Sequence, residues 1–221
     1  MTIMPSRVET AAALQELGAI AIVRLESAAR LRPVVDALSE GGIRAVEVTM
    51  TTKGALQALA ECGSALGESV MLGAGTVLDT ETARLAVSAG ARFVVAPTLC
   101  PGVVRLCRRY DVVSIPGAYT PNEIAAAWEA GADLVKVFPA GNLGPGYLRE
   151  LRGPLPFIRL VATGGVTLDN AAAFVAAGAV AVGVGGALVE RGAVEREDYA
   201  TIRERARRLA EAVRESRRRV A

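Results

Sequence analysis

The chain has no histidine, and lysine is almost as scarce. Its 221 residues include 25 lysines and arginines, of which only Lys53 and Lys136 are lysine. The missing histidine removes the commonest general base, the usual zinc ligand and the base of a serine-histidine triad. Acid-base chemistry must therefore use Asp, Glu, Lys, Tyr or water.

Cysteine and aromatic residues are also few. The three cysteines, Cys62, Cys100 and Cys107, are odd in number and lack metal-ligand spacing, which is typical of a protein from a reducing cytoplasm. Aromatic residues make up 4% of the chain and hydrophobic residues 52%. The core must then consist of Val, Ala, Leu and Ile with close backbone approach at glycines, which favours an α/β protein.

Neither a nucleic-acid partner nor a membrane partner is predicted. The net charge is +2, and the arginine-rich C-terminal stretch has interleaved glutamates and no aromatic residues to stack bases. The N-terminus lacks the basic-then-apolar order of a signal peptide. Residues 171–189 carry no charge and are long enough to span a bilayer, but their four glycines favour a helix end, a turn and a buried strand. We therefore expect a cytoplasmic location.

Four glycines mark a recurring unit in which a helical pattern ends and an apolar run begins. They are Gly42, Gly90, Gly131 and Gly178, roughly forty to fifty residues apart. This spacing is about twice the length of one strand-helix unit. Four more apolar runs lie at the expected places between them, at 20–24, 70–77, 112–118 and 158–163. We therefore predict eight strands that alternate with helices.

Eight such units predict a single-domain (β/α)₈ TIM barrel over residues 1–221. An extra helix within 1–17 would cap the bottom of the barrel, and a C-terminal helix is expected over 196–219. A doubly wound open sheet is the alternative. The four-fold repeat favours closure, because each two-unit module would occupy an equivalent quarter of a ring.

Alternation along a barrel strand places Lys136 and Glu47 in the interior. Val135 and Val137 would face the helices, so Lys136 points inward, and the same parity turns Glu47 inward. A desolvated lysine can lose its proton and attack a ketone to form an imine, which arginine cannot do. A nearby carboxylate can then move a proton on the substrate. The alternatives are a lysine that extends its head group into water and a buried structural ion pair.

Four further segments at the same rim suggest a substrate site. Glycine-rich corners after the seventh and eighth strands are typical of a phosphate site in barrels. Arg24 at the end of the first strand would supply a fixed charge for a carboxylate. Gly73-Ala74-Gly75-Thr76 adds a tight turn and a hydroxyl.

These residues resemble the 2-keto-3-deoxy-6-phosphogluconate (KDPG) aldolases, a family that includes the 4-hydroxy-2-oxoglutarate (KHG) aldolases. The resemblance extends from about residue 18 to about residue 190. The motifs that carry it, in the family's order, are Ala21-Ile22-Val23-Arg24, Glu47-Val48-Thr49, Gly73-Ala74-Gly75-Thr76, Ala96-Pro97, Ser114-Ile115-Pro116-Gly117, Lys136-Val137-Phe138-Pro139, Thr163-Gly164-Gly165 and Gly183-Val184-Gly185.

The resemblance implies a homotrimeric class I aldolase that cleaves a 2-keto-3-deoxy-6-phospho sugar acid to pyruvate and glyceraldehyde 3-phosphate. It needs neither a metal nor a cofactor beyond the covalent imine. Lys136 would form the imine and Glu47 would act as acid and base. Substrate-binding roles fall to Thr76, Pro97, Phe138 and Thr163, and phosphate-binding roles to Gly164, Gly165, Gly185 and Gly186.

Two positions depart from the family pattern. Thr51 stands where many members have a carboxylate-binding arginine, and Ala187 stands where many have a serine in the last glycine-rich loop. We expect Arg24 to bind the carboxylate instead, with Thr51 beside it. Three alternatives stay open: a 2-keto-3-deoxy-6-phosphogalactonate (KDPGal) aldolase, a phosphate-binding barrel isomerase or synthase, and a non-catalytic barrel that binds a sugar phosphate.

Overall fold

A computed structural model describes residues 5–67 and 69–220. The strands within this part are β1 Ala19–Val23, β2 Ala45–Thr49, β3 Met71–Gly75, β4 Phe93–Val95, β5 Val113–Ile115, β6 Gly117–Ala118, β7 Val135–Val137, β8 Leu160–Thr163 and β9 Ala181–Val184. The helices are α1 Arg7–Leu17, α2 Leu31–Glu40, α3 Ala55–Leu66, α4 Thr80–Ser88, α5 Pro101–Arg109, α6 Pro121–Glu129, α7 Gly144–Arg152, α8 Ala171–Ala176, α9 Arg191–Glu195 and α10 Tyr199–Val220.

The strands are parallel and follow the order β5-β4-β3-β2-β1-β9-β8-β7-β6. The predicted strand at 112–118 is divided by Pro116, which has no N–H to give to a neighbour. Its first part, β5, pairs with β4, and its second part, β6, pairs with β7. The two ends of the sheet are therefore two parts of one strand, and the predicted (β/α)₈ barrel is confirmed.

Two apolar layers flank the strands. Outward side chains such as Val46, Val48, Val135 and Val137 join the large core cluster between strands and helices. A smaller cluster fills the barrel interior with alternate strand residues, among them Phe93. The ring of Phe93 occupies the space beside Gly73, where a Cβ would lie 2.4 Å from it. Small residues in one strand thus admit a large side chain from the next.

Helix α1 closes the bottom of the barrel, as predicted from residues 1–17, of which 1–4 lie outside the described residues. Ser6 and Glu9 form a reciprocal capping box at its start. Ala11 and Leu14 pack into the interior cluster. The open end of the barrel is therefore the opposite one, at the carboxyl ends of the strands.

The C-terminal helix begins later than the predicted residue 196. The side chain of Asp198 accepts a hydrogen bond from the N–H of Thr201 at 3.1 Å, which caps a helix that starts at Tyr199. Glu197 has a φ of 57°, which interrupts helical geometry between α9 and α10. Sequence periodicity did not separate the short helix α9 from this segment.

Residues 171–189 divide into α8, a turn at Gly178 with a φ of 101°, and β9. In the described part of the chain, no helix has an apolar stretch that reaches across a bilayer. The predicted division into a helix end, a glycine turn and a buried strand is therefore what the structure contains.

Arg217 of α10 holds α1 in place, and we expect Arg217→Ala to lower the free energy of unfolding by about 2 kcal/mol. Its guanidinium donates to the carbonyl of Glu16 at 2.6 Å and to those of Gln15 and Val180. The carbonyls of Gln15 and Glu16 lie in the last turn of α1, where they have no hydrogen-bond partner within the helix. Urea denaturation measures the change. Arg218→Ala, at an exposed neighbour on the same helix, is the control, and equal midpoints for the two variants would contradict the prediction.

Candidate active site

A cavity of about 1190 Å³ opens at the carboxyl ends of the strands. All the residues singled out from the sequence as site residues line it. They are Arg24, Glu47, Thr51, Thr76, Pro97, Lys136, Phe138, Thr163, Gly164, Gly165, Gly185 and Gly186. Residues from seven separate segments of the chain thus share one space, because parallel strands end at the same rim.

Lys136 is the central residue of β7 and lies inside the barrel. Its register neighbours are Gly117 on β6 and Val161 on β8, and only 6% of the residue is exposed. Burial lowers the pKa of the Lys136 ammonium from its usual value; Glu47 acts in the opposite direction, and Arg24 lowers the pKa further. The amine is therefore not the solvated head group of a lysine that extends into water.

Phe138 forms one wall beside this amine. The Nζ atom of Lys136 lies 4.9 Å from the centre of the Phe138 ring. A Cβ at Gly164 would approach the same ring to 2.9 Å, so the glycine leaves room for the ring to stand next to the amine. An aromatic wall of this kind keeps water away from Nζ, which favours the neutral amine.

Glu47 lies on β2 and is 3% exposed. Burial raises the pKa of its carboxyl, and the positive charges of Lys136 and Arg24 oppose that increase. The carboxyl occupies the space that a side chain at Gly75 would need: a Cβ there would lie 2.0 Å from Oε1. Gly75 on β3 therefore lets the Glu47 carboxyl reach into the interior.

Lys136 and Glu47 influence each other without direct contact. Each shifts the pKa of the other. Within residues 5–67 and 69–220, neither side chain has a hydrogen bond or a salt bridge. A purely structural ion pair would close this gap. Both side chains instead line the same cavity, where one small molecule can contact the two of them.

Arg24 stands at the rim, directly after β1. Its side chain is exposed and forms no ion pair or hydrogen bond within the described ranges. It is nevertheless close enough to Lys136 and Glu47 to lower the pKa of both. An unpaired guanidinium near a buried amine is suited to an anionic group of a ligand.

Thr51 belongs to a threonine network at the end of β2. Its hydroxyl donates to Oγ1 of Thr49 at 3.1 Å, and the Oγ1 atoms of Thr49 and Thr52 lie 3.3 Å apart. Thr52 in turn accepts the N–H of Leu25 at 3.1 Å. The network therefore ties the loop that carries Arg24 to the strand that carries Glu47.

Thr76, Thr163 and Pro97 complete the walls of the cavity. Thr76 has a φ of 58°, a conformation that a residue other than glycine rarely adopts. A Cβ at Gly183 would lie 2.6 Å from the Thr163 hydroxyl. The absence of a side chain at Gly183 therefore leaves the space that this buried hydroxyl occupies. The carbonyl of Pro97 packs against Gly117, where an added Cβ would lie only 2.1 Å from the carbonyl oxygen.

The loop after β8 presents backbone N–H groups. The carbonyl of Gly164 accepts the N–H of Gly141 at 2.7 Å, and that of Gly165 accepts Nδ2 of Asn170 at 3.0 Å. In a trans peptide the N–H points away from the carbonyl. The N–H groups of Gly165 and Val166 therefore point away from these two donors, and both residues line the cavity.

The loop after β9 makes a similar turn. The carbonyl of Gly185 accepts the N–H groups of Leu188 at 2.8 Å and Val189 at 2.9 Å. Within the described chain, the N–H groups of Gly186 and Ala187 have no backbone partner. Two neighbouring loops, which follow the paired strands β8 and β9, thus bring four N–H groups without a backbone partner in the described chain to the cavity lining, an arrangement suited to an anion.

Comparison with known proteins identifies the family of this chain. Residues 10–205 match the family model described as KDPG and KHG aldolase. The chain belongs to this family. It is 42% identical over 165 residues to the 2-dehydro-3-deoxy-phosphogluconate aldolase of Treponema pallidum, which covers 74% of this chain and 78% of the relative. The resemblance noted from the sequence is therefore confirmed, and the protein is an aldolase-type lyase.

Two further relatives show the breadth of the aldolase family. The 2-dehydro-3-deoxy-6-phosphogalactonate aldolase of Escherichia coli is 35% identical over 164 residues, 73% of this chain and 80% of that one. The crystal structure of the Legionella pneumophila KDPG aldolase, with pyruvate captured as a covalent carbinolamine, superposes with a TM-score of 0.84 at 25% identity. It covers 90% of this chain and 97% of the other.

The sequence did not point to the charged residues at the mouth of this aldolase cavity. Glu26, Arg30, Arg191 and Glu195 line it as well. They lie in the loop after β1 and in or next to α9, and periodicity gives no signal for such segments. Ion pairs between these residues depend on the packing of two segments that are distant in the chain, and the sequence alone does not reveal this packing.

Proposed function

We propose that this protein is a class I aldolase that reversibly cleaves 2-keto-3-deoxy-6-phosphogluconate to pyruvate and glyceraldehyde 3-phosphate. The observation that carries the proposal is the buried amine of Lys136, with its lowered pKa, next to the separate Glu47 carboxyl in one cavity. A neutral amine attacks ketones, and a carboxyl of raised pKa both accepts a proton more readily and can return it to the substrate.

The reaction begins when the lone pair of Lys136 Nζ attacks the C2 ketone and gives a carbinolamine. Loss of its hydroxyl as water leaves an iminium ion. Glu47, directly or through a water, takes the proton of the C4 hydroxyl. The C3–C4 bond then breaks, its electron pair moves into the iminium to form an enamine, and glyceraldehyde 3-phosphate leaves. Protonation of the enamine and hydrolysis release pyruvate and restore the amine.

This chemistry involves no metal ion and no cofactor beyond the covalent imine. The iminium is the electron sink that a Lewis acid would otherwise provide. Among the described residues, no three His, Cys, Asp or Glu side chains lie together as a metal-ligand set. The carbinolamine captured with pyruvate in the Legionella pneumophila relative supports the same first step here.

The four N–H donors of the two glycine-rich loops support a phosphorylated substrate. They lie at one end of the cavity that also holds Lys136, and backbone N–H groups bind phosphate without a serine at position 187. KDPGal, the galactonate analogue, and 4-hydroxy-2-oxoglutarate, which yields pyruvate and glyoxylate, are further substrates within the proposal, since relatives named for each are similar to this chain. The homotrimer is also part of the proposal and rests on the family resemblance, and the cytoplasmic location rests on the three cysteines without pairing or metal-ligand spacing.

Arg24 is the residue that we expect to bind the substrate carboxylate in place of the family arginine replaced by Thr51. It is exposed and unpaired in the described chain, and it lies near Lys136. Arg24→Ala should raise KM for KDPG about tenfold, with a smaller change in kcat, because one charge-assisted hydrogen-bonded pair is lost. Steady-state kinetics measure this, and Arg24→Lys should recover part of the loss. Near-normal pyruvate affinity in Arg24→Ala would refute the assignment.

Borohydride trapping tests the proposed function. The protein is incubated with pyruvate and sodium borohydride, and the mass of the intact chain and of its peptides is measured. We expect a reduced adduct on the peptide that contains Lys136. An adduct on Lys53, or none at all, would rule out the aldolase proposal and leave a phosphate-binding isomerase or synthase, or a barrel without catalysis.

A further inference from the structure

An ion cluster at the mouth of the cavity takes no part in the proposed reaction. Arg191, the first residue of α9, donates through Nε to Glu195 at 2.7 Å and through Nη2 to Glu26 in the loop after β1. All three residues line the cavity. Their side chains are 70%, 53% and 73% exposed for Arg191, Glu195 and Glu26. The cluster is therefore open to a ligand that enters from solvent.

The cluster lies at the same end of the cavity as the N–H donors of the last glycine-rich loop. Strands β1 and β9 pair in parallel, with Ala21 opposite Val184. The loop that carries Glu26 therefore leaves the barrel beside the turn of Gly186. The chain reaches Arg191 five residues after Gly186, so the cluster lies close in the chain to the turn that would hold a phosphate.

The ion pairs of Arg191 can be exchanged at low cost. Exposed salt bridges contribute little because water and salt compete with them. Glu195 also has Arg30 and Arg196 nearby, both of which lower the pKa of its carboxyl. The Glu195 carboxylate therefore still has positively charged neighbours if the Arg191 side chain turns away from it. A phosphate dianion offers a guanidinium several acceptor oxygens in bidentate geometry, and a single exposed carboxylate competes poorly with it.

We propose that Arg191 is a specificity residue that leaves Glu26 to bind the distal phosphate of the substrate. Arg191 would then supply the side-chain contact that Ala187 does not. When the site is empty, Glu26 holds the Arg191 guanidinium at the mouth of the cavity. Its negative charge also repels an incoming phosphate until the guanidinium moves from Glu26 to the phosphate. This inference rests on the proposed aldolase function, and it adds that the site prefers phosphorylated over unphosphorylated 2-keto acids.

Two substitutions with opposite expected effects test it. The measured quantity is the ratio of kcat/KM for KDPG to kcat/KM for unphosphorylated 4-hydroxy-2-oxoglutarate. Arg191→Gln should lower this ratio about fivefold, mainly through KM for KDPG, because one exposed charge-assisted contact is lost. Glu26→Gln should raise it about twofold, because the competing carboxylate is gone. If the pair were only a tether between two segments, both variants would move the ratio in the same direction or leave it unchanged.

Arg203→Gln provides the matched control, since it breaks an exposed ion pair with Glu40 at 2.6 Å on the outer helices. Its ratio should equal that of the unsubstituted protein. A ratio that falls in both cavity variants, or in neither, overturns the inference. Borohydride trapping with pyruvate is run on the same preparations. An adduct with unchanged ratios overturns this inference alone, whereas no adduct in the unsubstituted protein overturns the proposed function and this inference with it.

Discussion

Lys136→Arg is expected to abolish aldol cleavage, with a loss in kcat/KM on the order of 10⁴-fold or more. A guanidinium stays protonated, so it has no lone pair with which to form an imine. The substitution keeps a long basic side chain beside Glu47 but removes the amine lone pair, and the uncharged Lys136→Met variant separates this loss from an effect of charge. A coupled assay for pyruvate release measures turnover, and borohydride trapping in the same samples should show no adduct.

The matched control is Lys53→Arg, which changes the only other lysine. It should keep full turnover and a full adduct on Lys136. Because an arginine in the buried interior of β7 could disturb packing, Lys136→Met serves as a second variant of similar length without a charge. Circular dichroism and the urea midpoint establish that each variant is folded. A folded Lys136 variant that still cleaves KDPG would exclude the imine mechanism.

Strand parity explains why the two central residues were predicted from the sequence. Val135 and Val137 face the helices in the structure, as do Val46 and Val48. Side chains alternate along any strand, so two apolar neighbours fix the direction of the polar residue between them. The sequence therefore placed Lys136 and Glu47 inside the barrel without any knowledge of distances. It also placed the glycine-rich loops at the same rim, since all strands are parallel.

Features that depend on contacts between distant segments were not predictable. Gly75 makes space for the carboxyl of Glu47, yet no pattern connects positions on two different strands before their register is known. The division of one strand at Pro116 depends on which neighbour each half meets. The start of α10 depends on a single cap at Asp198. Local periodicity carries none of this information.

Glu47→Gln is expected to lower kcat for KDPG cleavage by about 10²- to 10⁴-fold, the range typical of a lost general acid-base. Glutamine keeps the shape of the side chain but cannot accept the C4 hydroxyl proton. Imine formation depends on Lys136, so borohydride trapping of pyruvate should still give an adduct. The combination of a trapped adduct with slow cleavage separates the role of Glu47 from that of Lys136. Turnover within threefold of the unsubstituted protein would contradict an acid-base role.

The pH dependence gives a second test of the same residue. Burial raises the pKa of Glu47 above its usual value, and cleavage needs the carboxylate form. In the unsubstituted protein kcat should therefore fall as pH decreases through this raised pKa, at higher pH than for an exposed glutamate. Glu47→Gln should lose that limb of the profile. Gly75→Ala keeps the carboxyl but displaces it, because the new Cβ would lie 2.0 Å from Oε1. It should retain the limb while lowering kcat by about 10²-fold, the effect of a misplaced catalytic group.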